Sequence, residues 1–94
     1  MNSVHHGFTY NWSRHADDRW LERFKGIDRH IEFGSARRLT KKQKKLVKIL
    51  TPVNAERYMK RFKDRYLLKG KSNIIFVVAE SSIVTVFHLY GLED

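Results

Sequence analysis

Apolar positions in the first third of the chain recur with a helical period. Ala16, Trp20, Phe24 and Ile27 are spaced 4, 4 and 3 apart, with Leu21 beside them, and together they form one helical stripe. Ser13 suits an N-cap, Asp17 and Asp18 suit the positive end of the helix dipole, and Gly26 suits the end. The spacing predicts a first helix over 13–25. Phe8 to Tyr10 reads as a short extended piece, and His30 to Gly34 fits either loop or strand. Thr40-Lys41-Lys42-Gln43 has capping-box form. Behind it Gln43, Leu46, Val47 and Leu50 share a face while the lysines lie mostly away from it, which predicts a second helix over 40–50. Thr51-Pro52 then offers an N-cap followed by proline at the first helical position. Val53, Ala55, Tyr58, Met59 and Phe62 give a third stripe, ending near Phe62.

The period then changes. Tyr66 to Lys69 is short and extended, and Gly70 to Asn73 is a turn. Ile74 to Ala79 is β-rich and apolar on both faces, as a central strand would be. Ser81-Ser82 turns the chain into a last strand, Ile83 to Leu89. Strict alternation there puts Thr85 on one face and His88 on the other. Helices first and closely spaced strands last predict an α+β domain over 1–94, with two to three N-terminal helices packed on one face of a small C-terminal antiparallel β-meander. The other face would be partly open.

Charge narrows the function classes. The chain has 94 residues, 19 Lys and Arg against 10 Asp and Glu, and no cysteine. The absence of cysteine excludes a disulfide scaffold, a thiolate nucleophile and any Cys-ligated metal. It suits a cytoplasmic protein, and no apolar run or leader pattern points to a membrane. Basic residues cluster. Arg37, Arg38, Lys41, Lys42, Lys44, Lys45 and Lys48 fall in a stretch without an acid, and Arg57, Lys60, Arg61, Lys63 and Arg65 follow with only Asp64 among the last of them. Segregation of this kind predicts a nucleic-acid-binding face.

Five histidines are present, at 5, 6, 15, 30 and 88, and none has metal-ligand spacing, so neither a metal nor another cofactor is expected. Gly70-Lys71-Ser72 lacks the first glycine and the following helix of a phosphate loop. His15 and Arg19 stand one helical turn apart beside the apolar stripe, and His88 lies late in the last strand. If these converge with Lys69 and Arg65, the set suits RNA cleavage without a metal. A base takes the ribose 2′-OH proton, cations stabilise the phosphorane, and an acid protonates the 5′-oxygen.

Ser13-Arg14-His15-Ala16-Asp17-Asp18-Arg19-Trp20-Leu21-Glu22-Arg23-Phe24, followed much later by a strand, a turn and Ile83-Val84-Thr85-Val86-Phe87-His88-Leu89, resembles the small ribonucleases and toxins of the barnase–EndoU–colicin–RelE superfold. The nearest likeness is to families that open with a helical His-Ala-x-x-Arg and close on a Thr-Val strand. The resemblance implies helices on one sheet face and RNA on the other. It makes His15 a general base or acid and Arg19 a phosphate ligand. It also makes Lys69 an electrostatic stabiliser, Thr85 a donor to phosphate oxygen and His88 the second proton-transfer group. Alternation allows Thr85 and His88 one site only through a bulge, and His88 is the better candidate because it can move a proton. Many such proteins are toxins with an antitoxin or immunity partner, and some are phage-encoded. Two other readings use the same charge. One is a non-catalytic RNA- or DNA-binding module, and the other is a small inhibitor docking on an acidic host protein.

Overall fold

The structure, a computed structural model, describes residues 10–61 and 64–91. Its elements run β1 (Asn11–Trp12), α1 (Arg14–Arg23), α2 (Arg29–Ser35), β2 (Arg37–Arg38), α3 (Lys41–Leu50), α4 (Pro52–Ala55), a π-helical segment (Glu56–Arg61), β3 (Arg65–Lys69), β4 (Ile74–Ala79) and β5 (Ser82–His88). The strands form one sheet in the order β1-β5-β4-β3-β2. β3, β4 and β5 are the antiparallel meander, β2 extends it beyond β3, and β1 lies parallel to β5. The α+β class and the order of helices before meander agree with the sequence pattern.

Helices cover both faces of the sheet, not the single face that the sequence suggested. Trp20 of α1 and Phe24, its C-cap, pack with Ile74, Phe76 and Val78 on one side. Val47 of α3, Ala55 of α4 and Tyr58 pack with Ile75, Val77 and Phe87 on the other. The cause lies in β4. Ile74 to Val78 are all buried, and alternate residues of a strand point to opposite faces. Burying each such side chain is worth about 1.5–3 kcal/mol, so neither face could be left in water.

Local chemistry sets the boundaries. Ser13 caps α1 as expected, but the helix ends at Arg23, before Ile27 can come round to the stripe, and Ile27 and Leu21 stay exposed. The ambiguous stretch from His30 to Gly34 is helical. Asp28 caps it, accepting from the N–H groups of His30 at 2.9 Å and Ile31 at 3.2 Å. The third helix starts at Pro52 and widens into the π-helical segment, and its expected end near Phe62 lies outside the described residues. Of the extended piece expected from Phe8 to Tyr10, Phe8 and Thr9 lie outside the described residues, and a short strand, β1, runs over Asn11–Trp12. Gly70 to Asn73 turns the chain between β3 and β4, with the Gly70 N–H donating to Ile74 O at 2.9 Å. The next turn sits at Glu80-Ser81, one residue earlier than expected, with Ala79 facing Ser82. Glu80 takes a left-handed φ of 57° there.

The capping box of α3 is formed. Thr40 Oγ1 accepts from Gln43 N at 3.1 Å, and Gln43 Oε1 accepts from Thr40 N at 2.9 Å. Thr40→Ala is expected to cost about 1 kcal/mol, read as a lower urea midpoint at unchanged slope.

Candidate active site at the open edge of the sheet

β5 is covered on its outer side only at the start. β1 pairs with Ser82 and Ile83, so among the described residues no strand covers the edge from Val84 to His88. α1 stands beside that edge from one sheet face, and α4 with the π-helical segment stands beside it from the other. Between them is a cleft of about 590 Å³. His15, Arg19 and Arg23 enter it from α1, Thr85 and His88 from β5, and Asn54 and Arg57 from the opposite helical layer. Phe24 and Tyr58 contribute apolar wall.

A bulge anchors this arrangement. Val77 pairs with Thr85 and Val78 with Ile83, so Val84 is an extra residue. Its carbonyl accepts from Ser13 Oγ at 2.7 Å, and Ile83 O accepts from Ser13 N at 3.0 Å. The same Ser13 Oγ accepts from Ala16 N at 3.0 Å and so caps α1. One serine therefore starts the helix and pins that start to the first half of β5. His15 follows within the first turn, and Arg19 and Arg23 follow at one and two turns. Arg29 reinforces the placement, pairing with Asp17 and lying 4.5 Å from the centre of the Trp12 ring.

His88 is held by its own chain. Tyr90 N donates to His88 Nδ1 at 3.1 Å, so the neutral ring carries its proton on Nε2. Its ring centre lies 6.4 Å from that of Phe24. His15 is exposed at the rim. Among the described residues the lining includes three arginines and two histidines but no Asp or Glu, although Glu22 approaches Arg19 at 3.8 Å from outside it. A site with that balance favours a phosphodiester over a neutral or cationic ligand.

Thr85 and His88 do lie on opposite faces, since Thr85 pairs with Val77 and His88 with Ile74. The bulge precedes both and leaves that relation unchanged. They reach one cleft because the cleft wraps the open strand edge, a route that face alternation alone does not reveal. Thr85 is only 4% exposed, which leaves its hydroxyl little access to a ligand. Lys69 does not join them. β4 separates its strand from β5, and its Nζ donates to Gly70 O at 3.2 Å and Asn73 Oδ1 at 3.3 Å, so it secures the turn instead. Arg65 is likewise outside this cleft.

Arg23 and Asn54 are lining residues that the sequence reading missed. Arg23 had a signal, because His15, Arg19 and Arg23 repeat every four residues along one helix line. Asn54 had none. Of the expected nucleic-acid-binding set, Arg37, Arg38, Lys41, Lys42, Lys44, Lys45, Lys48, Arg57 and Lys60 are exposed, and Arg65 is half-buried. The side chain of Arg61 and the whole of Lys63 lie outside the described residues. Among the described residues no three His, Asp or Glu side chains form a metal-holding group, and no helix is long and apolar enough to cross a membrane. Comparison with models of known families, with curated proteins and with solved structures gives no match.

Proposed function

We propose that the protein is a metal-independent endoribonuclease, working in the cytoplasm, with its chemistry in the cleft at the edge of β5. What carries this reading is one observation: two imidazoles and three guanidinium groups line a single cleft to which, among the described residues, no carboxylate is added. In this scheme Arg19, Arg23 and Arg57 hold the phosphate and neutralise the charge that builds on its oxygens. His15 removes the proton from the ribose 2′-OH. The 2′-oxygen attacks phosphorus, and the P–O bond to the 5′-oxygen breaks. His88 acts from its imidazolium form, giving its Nε2 proton to that leaving oxygen and keeping the proton on Nδ1, which in that form no longer accepts from Tyr90 N. The products are a 2′,3′-cyclic phosphate and a 5′-hydroxyl.

The assignment predicts a clear substrate difference. RNA is cut in the presence of EDTA, leaving cyclic phosphate ends, while DNA of the same sequence stays intact because it lacks the nucleophile. Equal cutting of DNA, or loss of RNA cutting with EDTA, contradicts the scheme. A second reading, a non-catalytic nucleic-acid binder, draws on α3, where Lys41, Lys42, Lys44, Lys45 and Lys48 are all exposed. That reading predicts salt-dependent RNA binding without any cleavage. An acidic protein partner, whether antitoxin or host protein, would instead be captured in pull-downs that survive nuclease treatment.

A further inference from the structure

A second cleft, of about 300 Å³, lies against the other side of Tyr58 and is lined on its floor by Leu39, Leu67 and Met59. Its remaining lining includes Arg38, Lys44 and Arg65, with no acid among the described residues. We propose that this cleft is a subsite for a further nucleotide of the same single-stranded RNA, so that the protein grips several nucleotides and not one phosphodiester. The proposal rests on the ribonuclease reading for the identity of the ligand, but it makes a separate claim about binding.

The chemistry of the cleft matches the two parts of a nucleotide. An apolar floor takes the face of a base, and guanidinium and ammonium groups at its rim take phosphate. Arg38 is already arranged for this. Its guanidinium carbon lies 4.2 Å from the centre of the Tyr66 ring, a cation–π contact that holds the charge beside the cleft without using an acceptor for its N–H donors. Burial, followed by a hydrogen bond with Tyr10, pushes the Tyr66 phenol up, against a smaller opposing pull from the Arg38 charge. The base must be unstacked to reach the floor, which selects single strands over duplex.

Continuity between the two clefts is built into the chain. Tyr58 lines both of them and lies on the π-helical segment, a rare conformation that is frequent at functional sites. Lys44 lines the second cleft, and Thr51, at the end of the same helix, lines the first. Those positions are about 10 Å apart along the helix axis, on the order of three stacked nucleotides at 3.4 Å each.

Uncleavable 2′-O-methyl RNA of two, four, six and ten nucleotides tests this by fluorescence anisotropy. Affinity is expected to rise steeply from the dinucleotide to the hexamer and then level off. Arg38→Ala/Lys44→Ala should weaken hexamer binding about tenfold or more and leave the dinucleotide unchanged. It should also lower the hexamer salt slope by about 1.4, about 0.7 for each lost phosphate contact. Lys25→Ala/Lys71→Ala removes two exposed charges outside both clefts and should change binding far less. An equal loss in the two double variants overturns the subsite, because charge alone would then explain it. So does hexaglutamate binding as tightly as the RNA hexamer, or affinity that does not grow with length. Because these ligands cannot be cut, the two proposals fail separately. Length-dependent binding by a protein that never cleaves RNA removes the nuclease and keeps the subsite, whereas cleavage without any gain from length does the reverse.

Discussion

On the proposed scheme His15→Ala is expected to lower the rate of RNA cleavage by about two to four orders of magnitude, and His88→Ala to do the same, because each removes one of the two proton transfers that the scheme requires. The fold survives the first change almost untouched. His15 is exposed on α1, and surface substitutions of that kind usually stay within about 0.5 kcal/mol. His88 is half-buried and accepts from Tyr90 N, so His88→Asn accompanies the alanine variant, since its side-chain oxygen can also accept from a backbone N–H. Circular dichroism and urea melts establish that each variant is folded. Affinity for an uncleavable RNA should change by less than threefold in His15→Ala, since the arginines supply most of the attraction for phosphate. The double variant should be little worse than either single one, because the two groups act in one step and their effects do not add. Cleavage at the wild-type rate in either folded variant would remove that residue from the chemistry.

A large expected loss of stability lies away from the cleft, at Gly70. Glu32 of α2 is 1% exposed, and its carboxylate accepts from Ser72 Oγ at 2.6 Å and from Ser72 N at 3.1 Å. These bonds join α2 to the turn between β3 and β4, forty positions further on. Ser35 adds a parallel link, with Oγ donating to Glu32 O at 2.8 Å and accepting from Lys71 N at 3.2 Å. A methyl group at Gly70 would sit 2.7 Å from Glu32 Oε1 and 3.0 Å from Glu32 O. Gly70→Ala therefore pushes the carboxylate off Ser72 and presses on backbone, for a cost of about 1–3 kcal/mol. In a domain of this size, each kcal/mol lowers Tm by roughly 4–8 °C. Glu32→Ala should cost a similar amount by leaving the Ser72 donors without their acceptor. The pair should be strongly non-additive. With the Glu32 side chain gone, the close approach left to Gly70→Ala is the Glu32 backbone oxygen, beside an ordinary contact with Phe76 at 3.5 Å, and its cost should fall by half or more. Additive losses would show that the two positions are energetically independent and that the turn is held by other contacts.

Long periodic segments were legible in the sequence, and local irregularities were not. Ala16, Trp20 and Phe24 announced α1 because three apolar residues on one helical line have little other use, and all three are buried. Ile74 to Val78 announced a central strand, and the same run should have announced two covered faces, since both of its sides are apolar. β1 and β2 have two residues each, too few to display any period. The Val84 bulge has no signature in composition, yet it is where Ser13 fastens α1 to β5. His15, Arg19 and His88 could be picked out by their chemistry. That Thr85 joins them across a strand edge, and that Lys69 spends its charge on a turn, depend on which edge is left uncovered. Glu32 passed for an ordinary helix acid because its partner lies forty residues away.

The central claim is that His15 and His88 attend one bound phosphodiester. Titrating protein with ¹⁵N-labelled histidine against an uncleavable 2′-O-methyl dinucleotide tests it by NMR. The ring signals of both residues should shift together and saturate at a single ligand concentration, while His30, exposed on α2 and outside the cleft, stays still. Movement of one imidazole without the other, or of His30 as much as either, would contradict it.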